Sequence, residues 1–353
     1  MPQNSNFDIK YFFGHPVEVV DELLANKESH LHRFEVPKRD GGVRQILAPD
    51  PQLKYIQKAL YYKFLKKYAY SDAANGFIPK RGIVTNAIPH VGAKSMGKID
   101  IAKFFDSIST DHLKNCIFGN KNVCRFCCNY QRMLEGKCNP SLYANKKQKF
   151  QFRCEEMKAV LAPDYCKETG YQSLFTRVID ACTYNGFTAQ GFPTSPMLAN
   201  IVMMGFDKTM IKHCGDEGIT YTRYADDLAF SSKILTSSEL MDKTKKKAYS
   251  LLWAYNFKAK REKTRYRNHT TRLKVCGIVV NQKVSIQKSD VKEFRATVHH
   301  AIHKFPERTT RTRLKELKGW ASFLMSADET KGKRYMAQLT SFENRKFPKL
   351  QEA

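Results

Sequence analysis

Nowhere does the 353-residue sequence approach the roughly 18 consecutive apolar residues that a membrane-spanning helix needs, which excludes a bundle of such helices. Its start, MPQNSNFDIKYFF, lacks the basic and apolar regions of a secretory signal, so the expected location is the cytoplasm. Internal repeats and low-complexity segments are also missing, and 42% hydrophobic content describes an ordinary globular chain long enough for two or three lobes. Without a secretory signal, the ten cysteines read as reduced thiols or metal ligands rather than a disulfide framework. Acidic residues are scarce: 34 Asp and Glu face 60 Lys and Arg, a net charge of +26. So large an imbalance exceeds what solubility requires and points to a polyanionic partner, with phosphate neutralisation its commonest cause. From Lys258 to the end, 24 basic residues stand against 9 acidic ones, with Phe257, Tyr266, Phe294 and Trp320 interleaved as possible stacking partners for bases.

Patterning predicts the elements that carry the chemistry. Residues 1–30 read as a small helical lead-in, with Pro16 near a helix start. FEVPKRDGGVRQILAP, from Phe34 to Pro49, reads as two strands joined at Asp40-Gly41-Gly42, and LKYIQKALYYKFLKK has the apolar spacing of a helix. KIDIAKFFDS, from Lys98, begins as a strand. Ser195-Pro196 predicts the start of the helix MLANIVMMGF, with serine as cap and proline in the first turn. ITYTRYADDLAFSS reads as a hairpin with an acidic tip, KVCGIVVNQKVSI as another hairpin, and Asp290 to Ala327 as mainly helical.

Adjacent aspartates in a regular strand face opposite sides, whereas at a hairpin tip Asp226 and Asp227 can approach one cation. Alone such a pair is an ordinary turn. A third carboxylate on a neighbouring strand, Asp100, would complete a two-magnesium site, since Mg2+ takes one or two carboxylates plus substrate phosphates. Without cations, clustered like charges would oppose folding.

Five strings in order carry a family resemblance: Ile99-Asp100 through Phe104-Phe105-Asp106, Gln190 to Pro196, Tyr224-Ala225-Asp226-Asp227, Arg261 to Thr264, and the hairpin containing Gly277. Together they resemble the palm motifs of reverse transcriptases, and Arg44 and Arg81 lie in strings resembling the fingers. More narrowly, Asn86-Ala87-Ile88-Pro89-His90 resembles the Asn-Ala-x-x-His signature of retron reverse transcriptases. Val275-Cys276-Gly277 resembles their Val-Thr-Gly signature, with cysteine where the family usually has threonine. The likeness covers most of the chain from about Phe34 to Asp328.

The resemblance implies an α+β right-hand polymerase: lead-in 1–33, fingers 34–97, palm 98–280 with an antiparallel sheet, and a helical thumb with a C-terminal RNA-binding region over 281–353. It implies that Asp100, Asp226 and Asp227 bind two Mg2+ ions, with the Ile101 carbonyl an added ligand. Phe105 matches the bulky residue that excludes a 2′-hydroxyl, its plain alternative being a core aromatic. Gln190 and Gly191 match a loop that admits template and nucleotide, or form a simple glycine turn. Arg81 and Lys263 match triphosphate-contacting positions, although both also suit a solvated surface and the frame around Lys263 can slip to Lys260. Asn86 and His90 are implied in RNA recognition or local scaffolding. The implied partners are a cognate noncoding RNA, its branched msDNA product, deoxynucleotides and a separate effector in phage defence.

Between Gly119 and Gly170 lies a departure from the family pattern, an insertion with Cys124, Cys127, Cys128, Cys138, Cys154 and Cys166. Cys124 and Cys127 have zinc-site spacing, but no second tight pair follows, so structural zinc stands beside plain reduced cysteines, with nucleic-acid or protein contact as the segment's expected role. The rival readings are a group II intron-type or other bacterial reverse transcriptase, disfavoured by the Asn86 to His90 string and the short C-terminus, and a noncatalytic RNA-binding scaffold. An RNA-dependent RNA polymerase fits less well, because Phe105 would obstruct a ribonucleotide.

Overall fold

A computed structural model describes residues 10, 12–38, 41–68, 70–118, 172–235 and 238–348; the cysteine-rich insertion and its zinc alternative lie outside the described residues. Helix α1 (Val17–Ala25) begins after Pro16, as the lead-in pattern predicts. Strands β1 (Leu31–Pro37) and β2 (Val43–Pro49) pair antiparallel with Leu31 opposite Pro49, so the hairpin starts three residues earlier than its apolar pattern suggests. Helix α2 (Pro51–Lys63) follows at once. Asp50 caps it by accepting from Leu53 N at 2.9 Å, proline sits in its first turn, and Leu53, Ile56 and Leu60 form its buried stripe.

After the short helix α3 (Ile83–Ala87) comes β3 (Ser95–Asp100), the strand that organises the centre. Helix α4 (Gln172–Cys182) leads to the 22-residue α5 (Ser195–Asp216), which is buried on nearly every side through its N-terminal half. Pro196 lies in its first turn as expected, but Ser195 is not the cap. The helix begins at Ser195 itself, whose buried hydroxyl donates back to Ala189 O at 2.8 Å and so ties down the preceding loop. Strands β4 (Thr220–Tyr224) and β5 (Asp227–Ser232), helix α6 (Ser238–Ala254) and β6 (Arg265–Asn268) complete an antiparallel sheet of order β4-β5-β3-β6.

Side chains alternate across a sheet, and the register sorts them here into two populations. Ile99 of β3, Leu228 and Phe230 of β5 and Tyr221 of β4 join the main core with residues of α5 and α6. Met96 and Ala229 face a second, smaller core with Ala87, Leu273, Val275, Ile278 and Val280. That core includes the small hairpin of β7 (Lys274–Val275) and β8 (Ile278–Val279). Helices α7 (Lys288–His299), α8 (Arg311–Ala327) and α9 (Glu329–Lys346) bury a third cluster of their own around Phe294, Leu314, Leu317, Leu324 and Leu339. The chain is therefore α+β, and its C-terminal helices bury an apolar cluster of their own, with Phe323 of α8 also packed against the second core. No helix among the described residues is long and apolar enough to cross a membrane.

One ion pair in the main core fixes the acidic hairpin to α5. Arg223 and Asp207 have fully buried side chains; Arg223 Nε donates at 2.9 Å to Oδ1 and Nη2 at 2.7 Å to Oδ2, while Tyr221 Oη donates a further bond to Oδ1 at 2.8 Å. The same guanidinium donates from Nη1 to the carbonyl of Ala225 at 3.2 Å, in the hairpin turn. Removing one member strands the other's charge in the core. Asp207→Ala is expected to lower unfolding free energy by about 3–5 kcal/mol, and an apolar Asp207→Leu/Arg223→Met double variant by less, as read by urea denaturation.

Candidate active site

The acidic hairpin turns in two residues: Tyr224 pairs with Asp227, leaving Ala225 and Asp226 between them. Ala225 has φ +54°, a left-handed conformation that costs an L-residue about 1–2 kcal/mol. It is held there by Arg223 from one side and by Gly76 from the other, where an added Cβ would lie 2.8 Å from the Ala225 amide. Asp226 thus occupies the turn, while Asp227 opens β5 directly opposite Asp100. Residues directly opposite on an antiparallel pair share a face, so the register puts Asp100 and Asp227 on the face that also carries Lys98, two residues before Asp100.

Backbone bonds lock the three acidic positions together. Ile101 N donates to Asp226 O at 3.0 Å and Lys260 N to Asp100 O at 2.7 Å. Two lysines offset the charge: Lys260 Nζ lies 2.6 Å from Asp100 Oδ1 and 4.0 Å from Asp226 Oδ2, and Lys98 Nζ 3.2 Å from Asp227 Oδ2. Partial burial, then the neighbouring Asp100 charge, raise the Asp226 carboxyl to about 6 despite Lys260. Among the described residues no three His, Cys, Asp or Glu side chains close round one point tightly enough to hold a metal unaided. A hard divalent cation that brings its own phosphate ligands fits nonetheless, because this donor set is all carboxylate oxygen and ammonium groups already stand where positive charge is wanted. Asp100, Asp226 and Asp227 are the residues that would hold it.

The remaining expected residues are placed less uniformly. Phe105 is half-buried and packs on Phe104 and on the exposed Phe77, which in turn lies 6.4 Å from the Tyr224 ring. Phe77 has φ +63°, strained for an aromatic residue, and nothing in its sequence context marks it. Gly191 has φ +119°, and any Cβ there would run into the carbonyl oxygen of Leu47 in β2, whose amide is bonded to Gln190 O at 2.8 Å. Gln190 also lines a cleft of about 280 Å³ with Arg33, Gln45, Asp106, Tyr184 and Phe187. Asp106 has its carboxyl raised by partial burial, against the opposing charges of Lys103 and Lys38.

Arg81 Nη1 donates to the carbonyls of Ser71 at 2.8 Å and Ala74 at 2.7 Å, bracing the loop before Phe77. Of the two lysines weighed for the basic motif, Lys260 reaches the carboxylates and Lys263 is exposed in the next turn. Asn86 and His90 are 0% and 1% exposed, and their bonded side-chain atoms meet other parts of the chain. His90 Nδ1 bonds Ser231 Oγ of β5 at 2.6 Å and Nε2 bonds Thr222 Oγ1 of β4 at 2.7 Å, joining the two strands of the acidic hairpin. At Cys276 Sγ lies 3.7 Å from Asp227 Oδ2 and 3.4 Å from Asn86 Nδ2. Burial first, then Asp227, push this thiol up to about 12, so it stays protonated.

Comparison with known proteins agrees with this geometry. Residues 36–280 match the family model described as reverse transcriptase (RNA-dependent DNA polymerase). The chain belongs to the reverse transcriptase family. Relatives that it resembles within that family are named as retron reverse transcriptases. It is 29% identical to the Retron Mx162 reverse transcriptase of Myxococcus xanthus over 90% of this chain and 61% of that protein. It is 26% identical to the Retron Ec86 reverse transcriptase of Escherichia coli over 93% of this chain and 86% of that one. It spans 56% of the Retron Mx65 reverse transcriptase of Myxococcus xanthus, so several curated relatives are considerably longer. Among solved structures, apo telomerase from Candida tropicalis aligns over 94% of this chain and 62% of that one at 13% identity, with a TM-score of 0.46. Family membership implies dependence on a divalent metal.

Burial, then the charge of Lys98, hold the His90 imidazole down to about 4 from its ordinary 6.5. Below pH 6.5 the unfolded chain takes up a proton that the folded one refuses, so stability present above that pH drains away as pH falls to about 4. The full effect is roughly 3 kcal/mol. Unfolding free energies measured by urea titration across this range should show that slope in the wild type and a flatter one in His90→Asn.

Proposed function

We propose that this chain is an RNA-directed DNA polymerase that copies a cognate structured noncoding RNA into msDNA, the branched RNA–DNA product of retrons. The observation that carries the proposal is Asp100 directly opposite Asp227 in the sheet with Asp226 in the adjoining turn, a register that gathers three carboxylates on one site. Two magnesium ions held there supply the chemistry of lowering the attacking hydroxyl's pKa and stabilising charge on phosphorus and pyrophosphate. The chain's own residues do the rest. Asp100, Asp226 and Asp227 fix the charge, with the Ile101 carbonyl as a further oxygen ligand, and Phe105 excludes a ribose 2′-hydroxyl. Gln190 and Gly191 form the passage for template and nucleotide, while Lys260 or Lys263 and Arg81 serve the phosphates.

Fingers, palm and thumb follow the boundaries 34–97, 98–280 and 281–353 after the lead-in of 1–33, a division supported by the separate apolar cluster of the last three helices. The +26 charge supports an RNA partner, with the basic thumb and C-terminal region as its seat. The retron names of the relatives support the retron reading, and with it the proposal extends to a cognate RNA, a cytoplasmic anti-phage system and a separate effector protein.

DNA synthesis from the cognate RNA, deoxynucleotides and Mg2+ tests the reading. Asp226→Asn should lower kcat by on the order of 10²-fold or more, the worth of several kcal/mol of transition-state stabilisation. Equal product from both proteins, or none from either, would leave a noncatalytic scaffold as the better description. Phe105→Ala should keep DNA synthesis and raise ribonucleotide incorporation, read as the ratio of kcat/KM for rCTP and dCTP; an unchanged ratio removes Phe105 from sugar selection.

A further inference from the structure

The two retron-signature strings lie far apart in sequence, yet their side chains meet beside a catalytic carboxylate. Asn86 is fully buried in α3 and points its Nδ2 at Cys276 Sγ, 190 positions away, at 3.4 Å. Cys276 occupies a two-residue turn between β7 and β8 in which it and Gly277 have φ +47° and +85°, the paired left-handed conformation of a tight hairpin. Leu273, Val275, Ile278 and Val280 are each 0% exposed and clamp that turn. The thiol then reaches Asp227 Oδ2 at 3.7 Å, the oxygen that also accepts from Lys98 Nζ at 3.2 Å. Both of these contacts fall on Oδ2 of Asp227 and neither on Oδ1.

We propose that Asn86 and Cys276 are positioning residues that anchor one oxygen of Asp227, together with Lys98, and leave the other for a catalytic cation. This rests on the polymerase reading above and adds a purpose for the signature positions. The chemistry requires a group at 276 that accepts one hydrogen bond and donates another. A thiol or hydroxyl does both, and a methyl does neither. Asn86 has the complementary demand: a buried amide donor without an acceptor costs free energy, and its Oδ1 is already without a partner. The thiol of this chain therefore performs the task for which relatives with threonine at this place would use a hydroxyl.

The test is Mn2+ binding followed by electron paramagnetic resonance on the full chain, assembled with an RNA template, a dideoxy-terminated DNA primer and incoming dNTP. Cys276→Ala should weaken Mn2+ binding about 10-fold, the usual scale for removing a hydrogen bond to a metal ligand. Cys276→Ser should bind within about 2-fold of wild type on the same scale. In steady-state assays Cys276→Ala should raise the metal concentration for half-maximal rate with little change in the KM for dNTP, and saturating metal should recover most of kcat. Asn86→Ala should weaken Mn2+ binding as well, and combining it with Cys276→Ala should add little, because both interrupt one chain of bonds. Wild-type affinity in Cys276→Ala, or equal loss in Cys276→Ser, overturns the proposal; should Asn86→Ala fail to fold, the Cys276 pair alone decides. Full activity in Asp226→Asn would instead sink the underlying polymerase reading, so the two failures are distinguishable.

Discussion

Bringing three carboxylates into one corner of a sheet sets their mutual repulsion against the folding of everything around them. At 4 Å, two unit charges interact by about 4 kcal/mol under the effective dielectric near a protein surface. The structure meets this with counter-charge and with rigidity. Lys260 stands between Asp100 and Asp226, and Lys98 beside Asp227, so positive charge is in place before any metal arrives. The compensation is incomplete: Asp226 still has its carboxyl pushed up to about 6 by burial and by Asp100. That residue of unbalanced negative charge is what a divalent cation would relieve.

Rigidity comes from the opposite face of the sheet. Arg223 and Tyr221 point into the main core, where Asp207 of α5 ties them down, while Thr222 and Tyr224, one residue along, belong to the face of the acidic site. Strand alternation thus lets one hairpin serve two needs without compromise. Its core-facing residues stabilise the hairpin through a buried ion pair and the packing of Tyr221 on Phe230, and the carbonyl of Ala225 is held by the same guanidinium. A strained left-handed alanine persists in the turn because Arg223 and Gly76 together leave it no other conformation.

Much of this was legible in residue order, because hairpins, alternating strands and acidic tips are local patterns. The β1–β2 hairpin, β3 with Asp100, the turn at Asp226 and the helix after Pro196 all declare themselves within short continuous strings. Side-chain partnerships do not. Asp100 and Lys260 are 160 positions apart, and the choice between Lys260 and Lys263 depends on how the chain returns beside β3. Arg223 and Asp207 left a faint signal, a lone aspartate inside the apolar run of α5 and an arginine in a strand otherwise rich in aromatic and β-branched residues. Ser195 looked like a cap because serine before proline commonly is one; here the loop from Ala189 claims its hydroxyl first.

The buried signature residues bear on where RNA specificity can reside. Asn86 bonds the Cys276 thiol and His90 the hydroxyls of Ser231 and Thr222, so both signature residues are built into the protein beside the acidic hairpin. His90 braces β4 and β5, and the Asn86 amide reaches Asp227 through Cys276, so both lead to the carboxylates. A substitution there should disturb metal binding and the acidic hairpin together, whatever RNA is copied. Direct readout then falls to exposed groups, and the chain's charge shows where these are dense: the segment from Lys258 onward holds 24 of the 60 basic residues and only 9 of the 34 acidic ones. Chemistry at the acidic face of one sheet and affinity on a basic helical surface are therefore separable properties of this chain.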